Sequence, residues 1–214
     1  MTKSYNFLLA GVGGQGTILA SNVLAEVALV AGFDVKKSEV HGMAQRGGSV
    51  NTHVRWDAER VYSPLIGLGE ADFLLAFEEA EALRYAEYLR PGGVAVVNEH
   101  TIKPITVTSG GAHYPTEEEL RTVYDQSTDL LYMVPGTDIA QELGNARAAN
   151  VVLLGALSIF LDVPVETWLQ VIKARVPPKY VVVNRQAFLK GRQAANRQRP
   201  PSHTSPPGTV RRPA

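Results

Sequence analysis

The stretch Phe7-Leu8-Leu9-Ala10-Gly11-Val12-Gly13-Gly14-Gln15-Gly16-Thr17 decides the fold. An apolar run of strand length enters a glycine turn. The turn opens into Ile18-Leu19-Ala20-Ser21-Asn22-Val23-Leu24-Ala25, which reads as a helix. The near-continuous apolar run suits a strand covered on both faces, as in a parallel sheet. Gly11, Gly13 and Gly16 have the G-x-G-x-x-G spacing. Such glycines allow a tight turn, close backbone approach to a ligand and close seating of the helix on the sheet. The N–H groups of the first helical turn then face forward and favour an anion. The same residues also fit a tight strand-to-helix turn with no ligand.

Outward from this turn, Ile18, Leu19, Val23, Val27 and Val30 recur at helical spacing, which predicts a helix from Gln15 to about Ala31, ended by Gly32. Residues 33–40 follow as a second strand, so the three pieces form a β-α-β unit with a right-handed crossover. Glu39 stands where a dinucleotide-binding fold places the acid that holds the ribose, although a solvated strand-end carboxylate reads the same way. Next, residues 41–56 read as a glycine-hinged loop entering an alternating strand. Val50, Thr52, Val54 and Trp56 share one face, and Asn51, His53 and Arg55 the other. Residues 57–59 turn the chain, and Arg60-Val61-Tyr62 return as a short antiparallel partner, making an inserted hairpin.

Gln45, Arg46, Ser49 and Asn51 gather hydrogen-bonding groups on and beside this loop, and Met43 lies among them. Binding residues concentrate on loops, so Met43, Gln45, Arg46, Ser49 and Asn51 join Gly13, Gly14, Gln15 and Gly16 as candidate substrate-binding residues. A surface hairpin with a wet polar face is the plain alternative. His41 and His53 have no acids or cysteines in register for a metal site.

Strands are also expected at Ala71–Phe77, Val94–Asn98 and Asp129–Pro135. Helices are expected after Glu78, where early acids complement the helix dipole, and after Thr116, which has capping-box spacing to Glu119. Another should start at Gly136 with Thr137 or Asp138 as its cap. Residues 145–161 are apolar around most of a helical girth, which suits a central core helix or a subunit interface. Two further helices follow at 165–174 and at 179 to about 198. Strands alternate with helices, so the class is α/β: a three-layer α/β/α Rossmann-like domain over residues 1–198, with a mostly parallel sheet and an inserted β-hairpin. Residues 199–214 are a Pro-rich tail expected to be disordered.

Composition narrows the function. In 214 residues, 21 Lys and Arg balance 21 Asp and Glu, so nothing calls for nucleic acid or a membrane surface. No run approaches the roughly 18 apolar residues of a spanning helix, and a cytoplasmic protein is expected. There is no cysteine. Disulfides, a thiolate zinc site and an iron–sulfur cluster held in the usual way are therefore excluded. No nucleophile–base pair or acid–base dyad suggests a free-standing enzyme.

Together, Gly11-Val12-Gly13-Gly14-Gln15-Gly16 and Ser38-Glu39-Val40-His41-Gly42-Met43-Ala44-Gln45-Arg46-Gly47-Gly48-Ser49-Val50 resemble the gamma-type domain of 2-oxoacid:ferredoxin oxidoreductases. The likeness spans roughly residues 5–190 and is nearest to the beta subunits of the indolepyruvate branch. It implies one part of a hetero-oligomeric enzyme that decarboxylates a 2-oxo acid on thiamine diphosphate. Electrons then pass through iron–sulfur clusters to ferredoxin, and the acyl group goes to coenzyme A. The resemblance puts thiamine diphosphate, magnesium and the clusters on a larger alpha subunit, because this chain has neither cysteine nor a Gly-Asp-Gly signature with a downstream asparagine. The role left is to complete the cleft and help bind coenzyme A or the oxo acid, indolepyruvate or another aryl pyruvate. Two rivals use the same residues: an NAD(P)-binding oxidoreductase domain, and a purely structural subunit with an empty glycine turn.

Overall fold

The computed structural model describes residues 3–41, 48–103, 107, 113–128 and 130–198. Met43, Gln45, Arg46 and the tail expected to be disordered, 199–214, lie outside the described residues.

Six strands form one sheet in the order β2-β3-β1-β4-β5-β6. They are β1 (Ser4–Val12), β2 (Asp34–His41), β3 (Ser49–Asp57), β4 (Ala71–Ala76), β5 (Leu89–Asn98) and β6 (Leu131–Val134). β1, β4, β5 and β6 are mutually parallel neighbours. β3 is antiparallel to both β1 and β2, so β2 runs in the direction of β1 without touching it. The mostly parallel α/β sheet thus matches the sequence reading, and only β3 runs against the rest.

The inserted hairpin differs from expectation. β3 does not pair with Arg60-Val61-Tyr62, which is not a strand. It pairs instead with β2 along Asp34↔Asp57 to His41↔Val50, and with β1 along Ser4↔Asp57 to Val12↔Ser49. The reason lies in its side chains. Thr52, Val54 and Trp56 are buried on one face and His53 on the other, which is the pattern of an interior strand rather than a solvent-facing one. Asp57 accepts from Glu59 N and Arg60 N at 2.8 and 3.1 Å, and Asp34 accepts from Val61 N at 2.7 Å, so the backbone donors of the expected return strand are used in a turn.

Alternation along β1 feeds two cores. Phe7 and Leu9, with Val54, Trp56, Phe73 and Leu75, pack under α1 (Thr17–Val30) and the later helices. Leu8 and Ala10, with Leu74, Ala76 and Val97, pack under α2 (Glu79–Arg84) and α3 (Glu117–Ser127). This is the three-layer arrangement. α3 opens with the predicted capping box between Thr116 and Glu119. The other helices are α4 (Gly136–Glu142), α5 (Ala149–Ser158), α6 (Val165–Arg175) and α7 (Val181–Gln198).

Of the two readings offered for residues 145–161, the core helix is observed. Every residue from Asn150 to Ser158 is buried within the chain. α5 and α7 cross backbone to backbone, since a Cβ on Gly155 would strike the Phe188 carbonyl and one on Gly191 the Val152 carbonyl. α4 corrects a cap assignment. Its N-cap is Pro135, and neither Thr137 nor Asp138 caps it. Asn98 of β5 does so from across the sheet end, accepting from Thr137 N at 3.2 Å and donating to Thr137 Oγ1 at 3.0 Å. Among the described residues no helix is long and apolar enough to cross a membrane.

Candidate functional site at the carboxyl ends of the strands

The glycine turn leaves β1 at the junction with β4, where chain connections diverge to opposite sides of the sheet. Open α/β sheets bind ligands in such crevices. Gly14 and Gly16 have φ of +110° and +82°, which favour glycine. At Gly16 there is a second reason: a Cβ would strike the Asn150 side-chain amide. Gly16 is the N-cap of α1 and offers the first turn no side-chain acceptor. Gly14 is exposed at the crest of the turn, and Gly13, Gln15 and Gly16 are half-buried.

Gln15 is committed inside the chain. Its Oε1 accepts from Val12 N and its Nε2 donates to the Phe77 carbonyl, both at 2.8 Å. It is therefore a strut between the ends of β1 and β4. Phe77 N donates to the Ala10 carbonyl at 2.8 Å and continues the same seam. Asn98 Nδ2 reaches the Phe77 carbonyl as well, at 3.1 Å.

The antiparallel course of β3 starts it where β1 ends. Val12 faces Ser49, Ala10 faces Asn51, and Gly13 N donates to the Gly48 carbonyl at 2.9 Å. The structure therefore brings Gly13–Gly16, Ser49 and Asn51 to one end of the sheet. Ser49 Oγ donates to the Glu81 carboxylate and lies 3.1 Å from Tyr85 Oη. Asn51 Nδ2 donates to that hydroxyl at 2.8 Å. The other oxygen of Glu81 accepts from Arg84 Nε at 3.1 Å. Among the described residues, Asn51 Oδ1 and Asn150 Oδ1 are buried without a hydrogen-bond partner.

Glu78 anchors the same corner. It is the N-cap of α2, accepts from Glu81 N at 2.9 Å and Ile102 N at 3.1 Å, and receives the Tyr114 hydroxyl. Burial, followed by the Glu78 contact, pushes the Tyr114 hydroxyl well above the ordinary phenol range. The acids at the start of α2 do complement the helix dipole, as their position predicts, but two of them, Glu78 and Glu81, also tie this corner of the sheet end together. Glu78, Glu81, Tyr85, Asn98 and Asn150 were not singled out for this role from the sequence. One signal was available for the acids: they directly follow an apolar strand parallel to β1, and so must emerge at the sheet end that carries the glycine turn.

Glu39 is placed differently. β3 separates its strand from β1, and Glu39 accepts from Lys37 Nζ at 2.5 Å. Two strand spacings, about 9.5 Å, lie between β1 and β2, where a dinucleotide-binding fold has one. His53 is buried and accepts from Ile66 N at 3.1 Å through Nδ1. Among the described residues no group of three His, Cys, Asp or Glu side chains is placed to hold a metal ion.

The profile of the family described as pyruvate ferredoxin/flavodoxin oxidoreductase matches residues 6–194. The indolepyruvate oxidoreductase subunit IorB of Thermococcus kodakarensis is 43% identical over 196 residues, covering 90% of this chain and 96% of the relative. Among solved structures, the gamma subunit of a keto/oxoacid ferredoxin oxidoreductase from Geobacter sulfurreducens has a TM-score of 0.66 at 26% identity, covering 90% of this chain and 99% of that one. The fold also recurs within the 2-oxoglutarate:ferredoxin oxidoreductase of Magnetococcus marinus, at a TM-score of 0.72 and 24% identity, over 96% of this chain and 34% of that longer one.

Proposed function

The chain belongs to the pyruvate ferredoxin/flavodoxin oxidoreductase family; on that premise we propose that it is the subunit without redox groups in an enzyme oxidising indolepyruvate or another aryl pyruvate. The assembled enzyme decarboxylates the oxo acid, releases carbon dioxide, passes two electrons to ferredoxin and transfers the acyl group to coenzyme A. This chain closes the cleft and helps hold coenzyme A or the oxo acid. Near full-length likeness to an archaeal indolepyruvate oxidoreductase subunit supports the choice of substrate.

Thiamine diphosphate, magnesium and the iron–sulfur clusters belong to a larger partner subunit in this reading. The residues here do not fit those groups. There is no thiolate to hold a cluster and no Gly-Asp-Gly with a downstream asparagine. The chain's own work is binding and orientation. Backbone N–H groups of Gly14, Gly16 and the start of α1 meet a phosphate or carboxylate, while those of Gly13 and Gln15 are given to the Gly48 and Val12 carbonyls. Ser49 and Asn51 hydrogen-bond the uncharged part of the ligand. Arg46, flanked by Gln45 and Met43 on the connection into β3, pairs bidentately with an anion.

The observation that carries the reading is the junction of the glycine turn with Ser49 and Asn51 at one sheet end, in a chain without cysteine. A second feature supports the partner. The loop between β3 and β4 is pinned by Arg55 to the Ser63 and Leu65 carbonyls at 3.2 and 2.9 Å, and by Asn6 to the Glu70 carbonyl at 2.8 Å. It nevertheless holds Tyr62, Leu65 and Leu68 exposed. An ordered loop that displays apolar side chains suits a subunit contact.

The test is co-expression with the larger subunit, purification of the complex, its visible spectrum, and turnover with indolepyruvate, coenzyme A and ferredoxin. The expected result is a brown, active complex whose Michaelis constants rise when Arg46 or Ser49 is replaced by alanine. Turnover by this chain alone, or a redox group bound to it, overturns the reading. Unchanged constants in both variants leave a structural subunit.

A further inference from the structure

Four side chains at the start of β3 and the end of α2 form a hydrogen-bond chain whose direction is fixed by proton counting. The Glu81 carboxylate, paired with Arg84, only accepts, and it is buried. It takes the single hydroxyl proton of Ser49. Ser49 has no further proton to give, so at its 3.1 Å contact with Tyr85 it must accept, and the Tyr85 hydroxyl donates. Tyr85 has then spent its own proton, and its oxygen accepts from Asn51 Nδ2 at 2.8 Å. The Asn51 amide is thereby held with Nδ2 towards Tyr85 and Oδ1 at the far end. That oxygen is buried and meets no donor among the described residues. A buried acceptor left unmet carries a desolvation penalty, so the site's outstanding demand is for a donor. Arg84 Nε on the second Glu81 oxygen keeps the carboxylate in place for Ser49.

We propose that Glu81 and Tyr85 are positioning residues that impose this polarity on Ser49 and Asn51, so that the site selects a ligand offering an N–H or O–H to Asn51 Oδ1. The proposal rests on the reading of Ser49 and Asn51 as ligand-facing. It adds that their hydrogen-bond sense is set by the Glu81 carboxylate, which acts on Asn51 through the Ser49 and Tyr85 hydroxyls. A carboxylate or keto oxygen has no proton for Asn51 Oδ1 and is not selected there. Two reactants carry a suitable donor: coenzyme A, through its amide and hydroxyl groups, and indolepyruvate, through its ring N–H. Phenylpyruvate carries none on its ring.

The experiment uses the assembled enzyme with Tyr85→Phe, Glu81→Leu, Glu81→Gln and Asn51→Ala, each checked for unchanged melting temperature. Steady-state constants are measured for coenzyme A, indolepyruvate and phenylpyruvate. Tyr85→Phe and Glu81→Leu should raise KM about tenfold, the effect of losing one hydrogen bond, with kcat within about twofold. The rise should fall on coenzyme A, or on indolepyruvate with phenylpyruvate unaffected, and which of the two moves identifies the donor. Glu81→Gln keeps an acceptor for Ser49 and should restore most of the loss. If Glu81→Leu does not assemble, Tyr85→Phe, which removes one oxygen, carries the test. A KM rise in Asn51→Ala with none in Tyr85→Phe overturns the positioning role while leaving Asn51 ligand-facing. No change in either variant removes the underlying reading as well, and equal effects on all three substrates reduce the chain to a structural brace.

Discussion

Gln15 and Phe77 are joined across the parallel seam of the sheet: Gln15 Nε2 donates to the Phe77 carbonyl at 2.8 Å while Gln15 Oε1 accepts from Val12 N at the same distance. One amide thus serves a donor at the end of β1 and an acceptor at the end of β4. Gln15→Ala leaves the Val12 N–H without its acceptor, and should lower stability by about 1–3 kcal/mol. Gln15→Glu keeps the acceptor for Val12 but sets a carboxylate oxygen against the Phe77 carbonyl. It should be at least as destabilising near neutral pH. Urea unfolding of both variants checks the order.

Gly16→Ala meets two separate obstacles, a φ of +82° and the Asn150 amide. Asn150→Gly removes only the second. The single substitution should cost more than about 2 kcal/mol, and the double variant should recover the steric part while keeping the roughly 1 kcal/mol backbone penalty. A double-mutant cycle with a coupling energy near zero contradicts this contact.

His53 gives the fold a pH dependence. Burial, then the nearby Arg55 charge, holds its pKa below the ordinary histidine value. Protonation would also put a proton on the Nδ1 that accepts from Ile66 N. The unfolded chain therefore takes up the proton more readily. The stabilisation from neutral His53 is complete above about pH 6.5 and is lost as pH falls through the lower folded value. Unfolding free energy measured from pH 8 to 5 should decline on the acid side, and the decline should be smaller in His53→Gln.

Tyr62, Leu65 and Leu68 are 84%, 55% and 61% exposed on their pinned loop. Replacing all three by serine should leave the melting temperature of the isolated chain nearly unchanged, since such surface changes usually stay within about 0.5 kcal/mol each. Co-purification with the larger subunit should fall sharply. Equal recovery of the complex would move the subunit contact elsewhere on the surface.

The elements themselves were legible because their signals are local. Apolar runs at Phe7–Ala10 and Ala71–Phe77, the Thr116–Glu119 capping box and the glycine turn all depend on neighbours within a few residues. Pairing was less legible. The alternation of β3 gave the correct faces, but the partners β1 and β2 lie far off in sequence, whereas Arg60–Tyr62 lay next door and offered a cheaper loop closure. The site divides along the same line. Ser49 and Asn51 stand out as candidates through the density of polar groups on one segment. Glu81 and Tyr85, which hydrogen-bond them, lie on and just after a helix whose acids have an adequate local explanation as dipole partners. The end of β5 hid its role for the same reason: nothing near Asn98 in sequence points to a helix start at Thr137.

The contact between Asn150 and Gly16 joins positions 134 residues apart. A chain made from its amino end therefore finishes the packing of its glycine turn late in synthesis, once α5 has emerged and folded back. Until then the glycine turn lacks the neighbour that seats it. The seating of the glycine turn is thus a late product of translation, so truncated copies stopping short of Asn150 should be taken by proteases before they can assemble.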